Sequence, residues 1–134
     1  MNDYNSKLLN GYKTEEKFIL ACLENNIHIS RPIFNIEPYD FIIEKDSVFY
    51  TVQVKKSWVD KKGRNIVTLK TSYPRSNKVN LVSQNEKVNF VAILTENNEW
   101  YIIPRIKLSN IKSGIAVSKK GNYARYYNNF NFEF

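Results

Sequence analysis

Between Val48 and Lys55 the chain alternates more cleanly than anywhere else along its length. Val48, Tyr50, Val52 and Val54 fall on one side; Phe49, Thr51, Gln53 and Lys55 fall on the other. A period of two marks a β-strand with its apolar side against a core. Tyr39–Glu44 reads as the preceding strand and Lys45-Asp46 as the turn between them. One hairpin therefore carries the spacing Asp-x12-Gln-x-Lys, formed by Asp40, Gln53 and Lys55. Because strand period is two, Gln53 and Lys55 share a direction. The hairpin thus brings a carboxylate, an amide oxygen and an ammonium to one point.

The preceding segment supplies a second acid. Leu8, Tyr12, Glu15, Ile19 and Cys22 recur at three- and four-residue steps, which predicts one face of a helix from about Ser6 to Asn25. Asn5 or Ser6 is expected to cap its start and Asn25-Asn26 to end it. Glu15 falls within the apolar stripe and should point inward, while Glu16 lies beside it and should be more exposed. On periodicity alone, the reading of Glu15 as a salt-bridging residue at the stripe edge comes first.

Hydrolysis of a phosphodiester needs oxygen ligands for a hard cation, an aimed water and stabilisation of added negative charge on phosphorus. Asp40 can bind a metal directly. Gln53 can give a side-chain carbonyl oxygen and Val54 its backbone carbonyl. Lys55 can position or polarise the water, or neutralise the phosphate. Glu15 can reach the same point from the helix, directly or through a water. His28 is the single histidine and Cys22 the single cysteine, which sets aside zinc, a histidine base and a Cys–His pair.

The charge is unevenly placed. The chain has 134 residues and a net charge of +7. From Val54 to Val79 there are eight basic residues and one acid, Asp60, so the whole excess lies next to the Gln53/Lys55 strand. Lys56, Lys61, Lys62, Arg64, Lys70, Arg75 and Lys78 form the expected footprint on a nucleic-acid backbone. Arg75 in "YPRSN" is a candidate for a base-edge contact, with another phosphate contact as the equal alternative.

Further along, a short strand is expected at Ile27–Ser30 and another at Asn65–Thr71, after a basic turn at Lys61–Arg64. A loop should follow in "SYPRSNKVNLVSQNEK", then a buried strand within Lys87–Thr95 and one at Trp100–Ile103. Pro104 fits the first turn of a short helix, and Ile115–Ser118 an edge strand. Six aromatics between Tyr123 and Phe134 predict a tail packed on the core, with self-association as its second use. This order gives one α+β domain over residues 1–134, with a central mixed β-sheet flanked by helices. No apolar run approaches the ~20 residues of a membrane span. The start lacks the core of a secretory signal, and one cysteine suits a reducing compartment. A cytoplasmic location with no membrane is expected.

Taken together, these segments resemble the PD-(D/E)XK nuclease superfamily, and more narrowly its branch of cyanobacterial group I intron homing endonucleases. The resemblance runs from the Gly11-x-x-x-Glu15 helix to "RYYNNF". It centres on "YDFIIEKDSVFYTVQVKKSW", with Pro38 two residues before Asp40, and continues through "SYPRSN", "VNFVAIL" and "WYIIP". Most of the superfamily carries Asp or Glu where Gln53 stands, whereas the intron branch carries Gln. The resemblance implies a restriction-endonuclease-like core and a catalytic set of Glu15, Asp40, Gln53 and Lys55. It also implies a sequence-specific endonuclease acting on double-stranded DNA with Mg2+, for which Mn2+ can substitute, and working as a homo-oligomer, a dimer or a tetramer. Two other readings stay open from the residues: a Holliday-junction resolvase or restriction-type nuclease, and a DNA-binding module without catalysis.

Overall fold

The structure, a computed structural model, describes residues 3–71 and 80–134. Its centre is a five-stranded sheet in the order β1-β2-β3-β8-β9. These strands are β1 (His28–Ser30), β2 (Phe41–Lys45), β3 (Val48–Lys56), β8 (Phe90–Leu94) and β9 (Trp100–Pro104). Only the β3–β8 pair is parallel within it, so the sheet is mixed as expected. β8 is buried along its whole length, which is why "FVAIL" carries no polar alternation.

One α-helix, α1 (Asp3–Glu24), covers one face. Phe18 and Cys22 pack there with Phe41, Ile43, Val52, Val54, Phe90, Ala92 and Trp100. The other face holds Val91, Ile93, Tyr101 and Ile103 against Val67, Leu69, Leu108 and Ile115. Its cover is a small sheet and short 3-10 turns rather than a second α-helix. That small sheet has the order β10-β5-β4, formed by β4 (Trp58–Val59), β5 (Asn65–Thr68) and β10 (Gly114–Val117). Alternate residues of β8 and β9 feed the two cores, as strand geometry requires.

The helix starts three residues before the expected Ser6, so Asn5 and Ser6 lie inside it instead of capping it. Helix ends are the least constrained by apolar periodicity. Its other end falls as expected. Asn26 is left-handed (φ 59°), Ile27 N–H donates to Cys22 O, and Asn26 N–H donates to Leu23 O. This is a Schellman closure, and its apolar pair is Ile27 with Cys22. The buried stripe is Thr14, Phe18 and Cys22. Nothing from residue 5 to 13 is buried, so Leu8 and Tyr12 of the expected stripe stand exposed.

β2 and β3 meet in a two-residue turn between the paired Lys45 and Val48. Both turn residues, Asp46 and Ser47, have positive φ (51° and 66°). That is the type I′ geometry matching strand twist, and it favours Asp-Gly. Ser47→Gly should therefore raise stability by about 0.5–1 kcal/mol, read as a higher denaturant midpoint; an unchanged or lower midpoint would contradict this assignment.

The expected strand Asn65–Thr71 is divided at Leu69. β5 pairs in the small sheet, whereas β6 (Lys70–Thr71) pairs with β7 (Asn80–Leu81). Pro104 ends β9 in an extended conformation, and the 3-10 turn begins at Arg105. An outer strand tolerates a residue that cannot donate to the ladder. The tail is core: Tyr126, Phe130 and Phe132 are buried, and Phe132 packs edge-on against Phe90 with ring centres 5.1 Å apart. Tyr127 and Phe134 remain exposed. Arg75, Lys78 and the segment "SYPRSN" lie outside the described residues. No helix among the described residues is long and apolar enough to cross a membrane.

Candidate active site

Asp40 stands one residue ahead of β2 instead of on the strand. Its N–H donates to the carbonyl of Val52, the residue that Phe41 already opposes, at 2.9 Å, so the chain enters β2 through a bulge. The Val54 N–H donates to Asp40 Oδ2 at 2.8 Å and aims the carboxylate. Val54, whose backbone carbonyl is the expected neutral ligand, thus also orients Asp40 through its N–H. Gln53 and Lys55 share the next face of β3, beside Val91 and Ile93 in the parallel register with β8. Lys55 Nζ donates to the Lys70 carbonyl at 2.8 Å.

Glu15 comes to the same place from α1. Its side chain is 25% exposed, against 70% for Glu16, in line with the inward direction read from the helix period. Burial and then the negative charge of Asp40 raise the Glu15 pKa, while Arg31 opposes the shift. Burial also raises Asp40, against the Val54 N–H and the charges of Lys55 and Arg31. Burial lowers Lys55, against the attraction of Asp40. Asp40 is thus within electrostatic reach of both Glu15 and Lys55, and the fourth expected group, Gln53, stands two residues before Lys55 on the same face of β3. Glu15 and Asp40 line one cavity of about 370 Å³ with Arg31, Phe34 and Tyr39. A larger cleft of about 660 Å³ lies at the other end of the hairpin, between the end of α1 and the tail. Asparagines and Lys45 dominate its lining, and it contains none of the catalytic set.

Two acids lining one cleft, with the charge of Asp40 raising the proton affinity of Glu15, form a natural seat for positive charge. Among the described residues no group of three His, Cys, Asp or Glu side chains gathers. A cation here would draw on Glu15, Asp40 and neutral oxygens such as that of Gln53. That all-oxygen set suits a hard divalent ion such as Mg2+. Cys22 takes no part, because burial in the helix–sheet core pushes its thiol up to about 12.

The basic segment leaves the site directly. β3 runs on into β4, and the β4–β5 hairpin carries Lys61 and Lys62 on its exposed turn. Lys56 and Lys70 are also exposed. Arg64 is differently engaged: Nε and Nη2 fork onto Asp60 Oδ2 at 2.8 and 2.7 Å. Asp60 Oδ1 meanwhile accepts the N–H groups of Lys62 and Arg64. Arg64 therefore serves the turn, and the free charge there is that of the two lysines.

Sequence reasoning missed Arg31. Its Nη2 lies 3.6 Å from Glu15 Oε1 and 3.9 Å from Glu16 Oε1. The one signal available was an isolated Arg immediately after the Ile27–Ser30 strand, with no periodic partner.

A central hairpin that presents Asp, Gln and Lys to a helix Glu, on a mixed sheet, defines a nuclease core of the restriction-endonuclease kind. The family model for PD-(D/E)XK endonuclease matches residues 4–132, and the chain belongs to that family. Among solved structures, the bacterial homing endonuclease I-Ssp6803I superposes with a TM-score of 0.77 at 20% identity, over 91% of this chain and 88% of that one. At that identity the likeness is one of fold. No curated protein matches the chain.

Proposed function

We propose that this endonuclease is metal-dependent and sequence-specific, and that it cuts both strands of DNA as a homing endonuclease. The observation that carries the reading is the pairing of Glu15 and Asp40 in one cleft, with the Lys55 ammonium within electrostatic reach of Asp40. The homing assignment draws its support from the fold shared with I-Ssp6803I and from Gln at position 53.

Asp40 and Glu15 would hold Mg2+ or Mn2+, with the Gln53 carbonyl as a neutral oxygen. When bound, such a cation polarises a phosphoryl oxygen and lowers the pKa of a water. The Val54 N–H keeps the Asp40 carboxylate in a fixed orientation. Lys55 neutralises charge at the phosphate or orients the attacking water. Lys56, Lys61, Lys62 and Lys70 bind the DNA backbone, and Arg75 and Lys78 complete that set.

One chain carries one such site, and a double-strand break needs two. We therefore assign the active form to a symmetric homo-oligomer on a pseudo-palindromic target. Exposed apolar residues outside the tail, notably Leu20, Leu23, Ile33 and Phe34, support a subunit contact better than the tail does.

The test is plasmid cleavage with Mg2+ or Mn2+ against EDTA. Cleavage should require the metal. Glu15→Ala should cut on the order of 10²-fold more slowly, while Glu16→Ala should stay within about threefold. Metal-independent cutting, or the reverse order of the two glutamates, would refute the site. A four-way junction should be cut no better than a linear duplex.

A further inference from the structure

Arg31 is the one basic side chain among the described residues lining the cleft, and the proposed chemistry gives it no part. It follows β1 directly, and its guanidinium lies over the Phe41 ring, 5.0 Å from the ring centre. Phe41 is 1% exposed, so this platform is anchored in the core. A cation–π contact of this kind uses the charge and leaves the N–H donors of the fork available to bind. The acids beside it make poor use of those donors. Both contacts come from the same nitrogen, at 3.6 and 3.9 Å, well beyond the roughly 2.7–2.9 Å of a charge-assisted hydrogen bond. The side chain is 49% exposed. Among the described residues that line the cavity it is the single cation, and its charge reaches both Glu15 and Asp40. Lys55 is tied to the Lys70 carbonyl, so the cleft has one basic fork that is preorganised and loosely held.

We propose that Arg31 binds the phosphate that is cleaved, exchanging its loose contacts with Glu15 and Glu16 for the non-bridging phosphate oxygens. This rests on the nuclease reading above. In hydrolysis a water oxygen forms a new P–O bond and loses a proton to solvent. One bridging P–O bond breaks, and its oxygen gains a proton. Negative charge builds up meanwhile on the non-bridging oxygens, where a planar fork can take two of them at once. The role is specific to Arg: a lysine would keep the charge and lose the paired donors.

The experiment compares wild type, Arg31→Ala and Arg31→Lys in two assays. In the first, binding to a short duplex is measured in EDTA across a salt series. Loss of one phosphate contact should reduce the log–log salt slope by about 1 in Arg31→Ala and leave it unchanged in Arg31→Lys. In the second, supercoiled plasmid is cut with Mg2+. Cleavage should fall on the order of 10²-fold in Arg31→Ala and recover in part with added guanidinium chloride. Arg31→Lys should fall about tenfold. An unchanged salt slope in Arg31→Ala, or cleavage within about threefold of wild type, would overturn the proposal. Should wild type fail to cut, the nuclease reading has failed and the salt slope alone decides the phosphate contact. Arg31→Gln, which keeps a stem over Phe41, replaces Arg31→Ala if thermal melting shows that variant unfolded.

Discussion

Asp40→Ala should abolish DNA cleavage, lowering the rate by at least about 10³-fold, or roughly 4 kcal/mol of barrier. Duplex binding should survive or tighten slightly, because the change removes a negative charge from a surface that meets phosphates. Folding should survive as well. Asp40 is half-buried, and its structural task is one hydrogen bond from the Val54 N–H, worth about 1 kcal/mol. Asp40→Asn separates charge from shape. It keeps an acceptor for Val54, so it should fold like wild type and still be inactive. Cleavage within tenfold of wild type in either variant would remove Asp40 from the centre of the chemistry.

A comparably large effect, on stability instead of rate, is expected at the middle of the helix-side core. Phe90 is fully buried at the start of β8. Its ring meets Tyr50, Phe132 and Phe134 with centres 5.3, 5.1 and 4.9 Å apart. Phe90→Ala removes the ring on which the aromatic tail closes, and the sheet behind it is too constrained to collapse into the space. The loss should be about 3–5 kcal/mol, a large share of the total for a domain of this size. Chemical denaturation reads it directly. A loss below about 1 kcal/mol would mean that the tail does not close on Phe90.

How much of this was legible beforehand differed by element. The alternation of Val48–Lys55 was decisive because each second residue carried the same demand. The same alternation places Gln53 and Lys55 on one face. The helix was legible in extent but not in contact. Periodicity shows a stripe, but not how far the sheet beneath it reaches, so Leu8 and Tyr12 read as buried when they are exposed. Arg31 escaped for a related reason. Its partners, Glu15 and Phe41, are distant in sequence, and a short irregular segment has no period to reveal them. Asn65–Thr71 read as one strand because apolar Leu69 continues the pattern. Its division depends on hydrogen bonds to Ser113 and Val82, which come from far along the chain.

The tight turn at Asp46-Ser47 has a further consequence, in the evolution of chain length. It lies at the far end of the hairpin from Asp40 and Gln53, about six residues or roughly 20 Å away at strand rise. Its two residues set which residues of β2 and β3 oppose each other. Slipping that pairing by one residue would turn Gln53 and Lys55 toward α1 and send Val52 and Val54 the other way. An odd insertion or deletion at this turn would therefore disable the enzyme without touching a catalytic atom. The exposed turn from Asp60 to Arg64 lies outside the paired catalytic register and is free of that parity rule. Diverging relatives should accordingly vary in length there and keep the first turn at two residues.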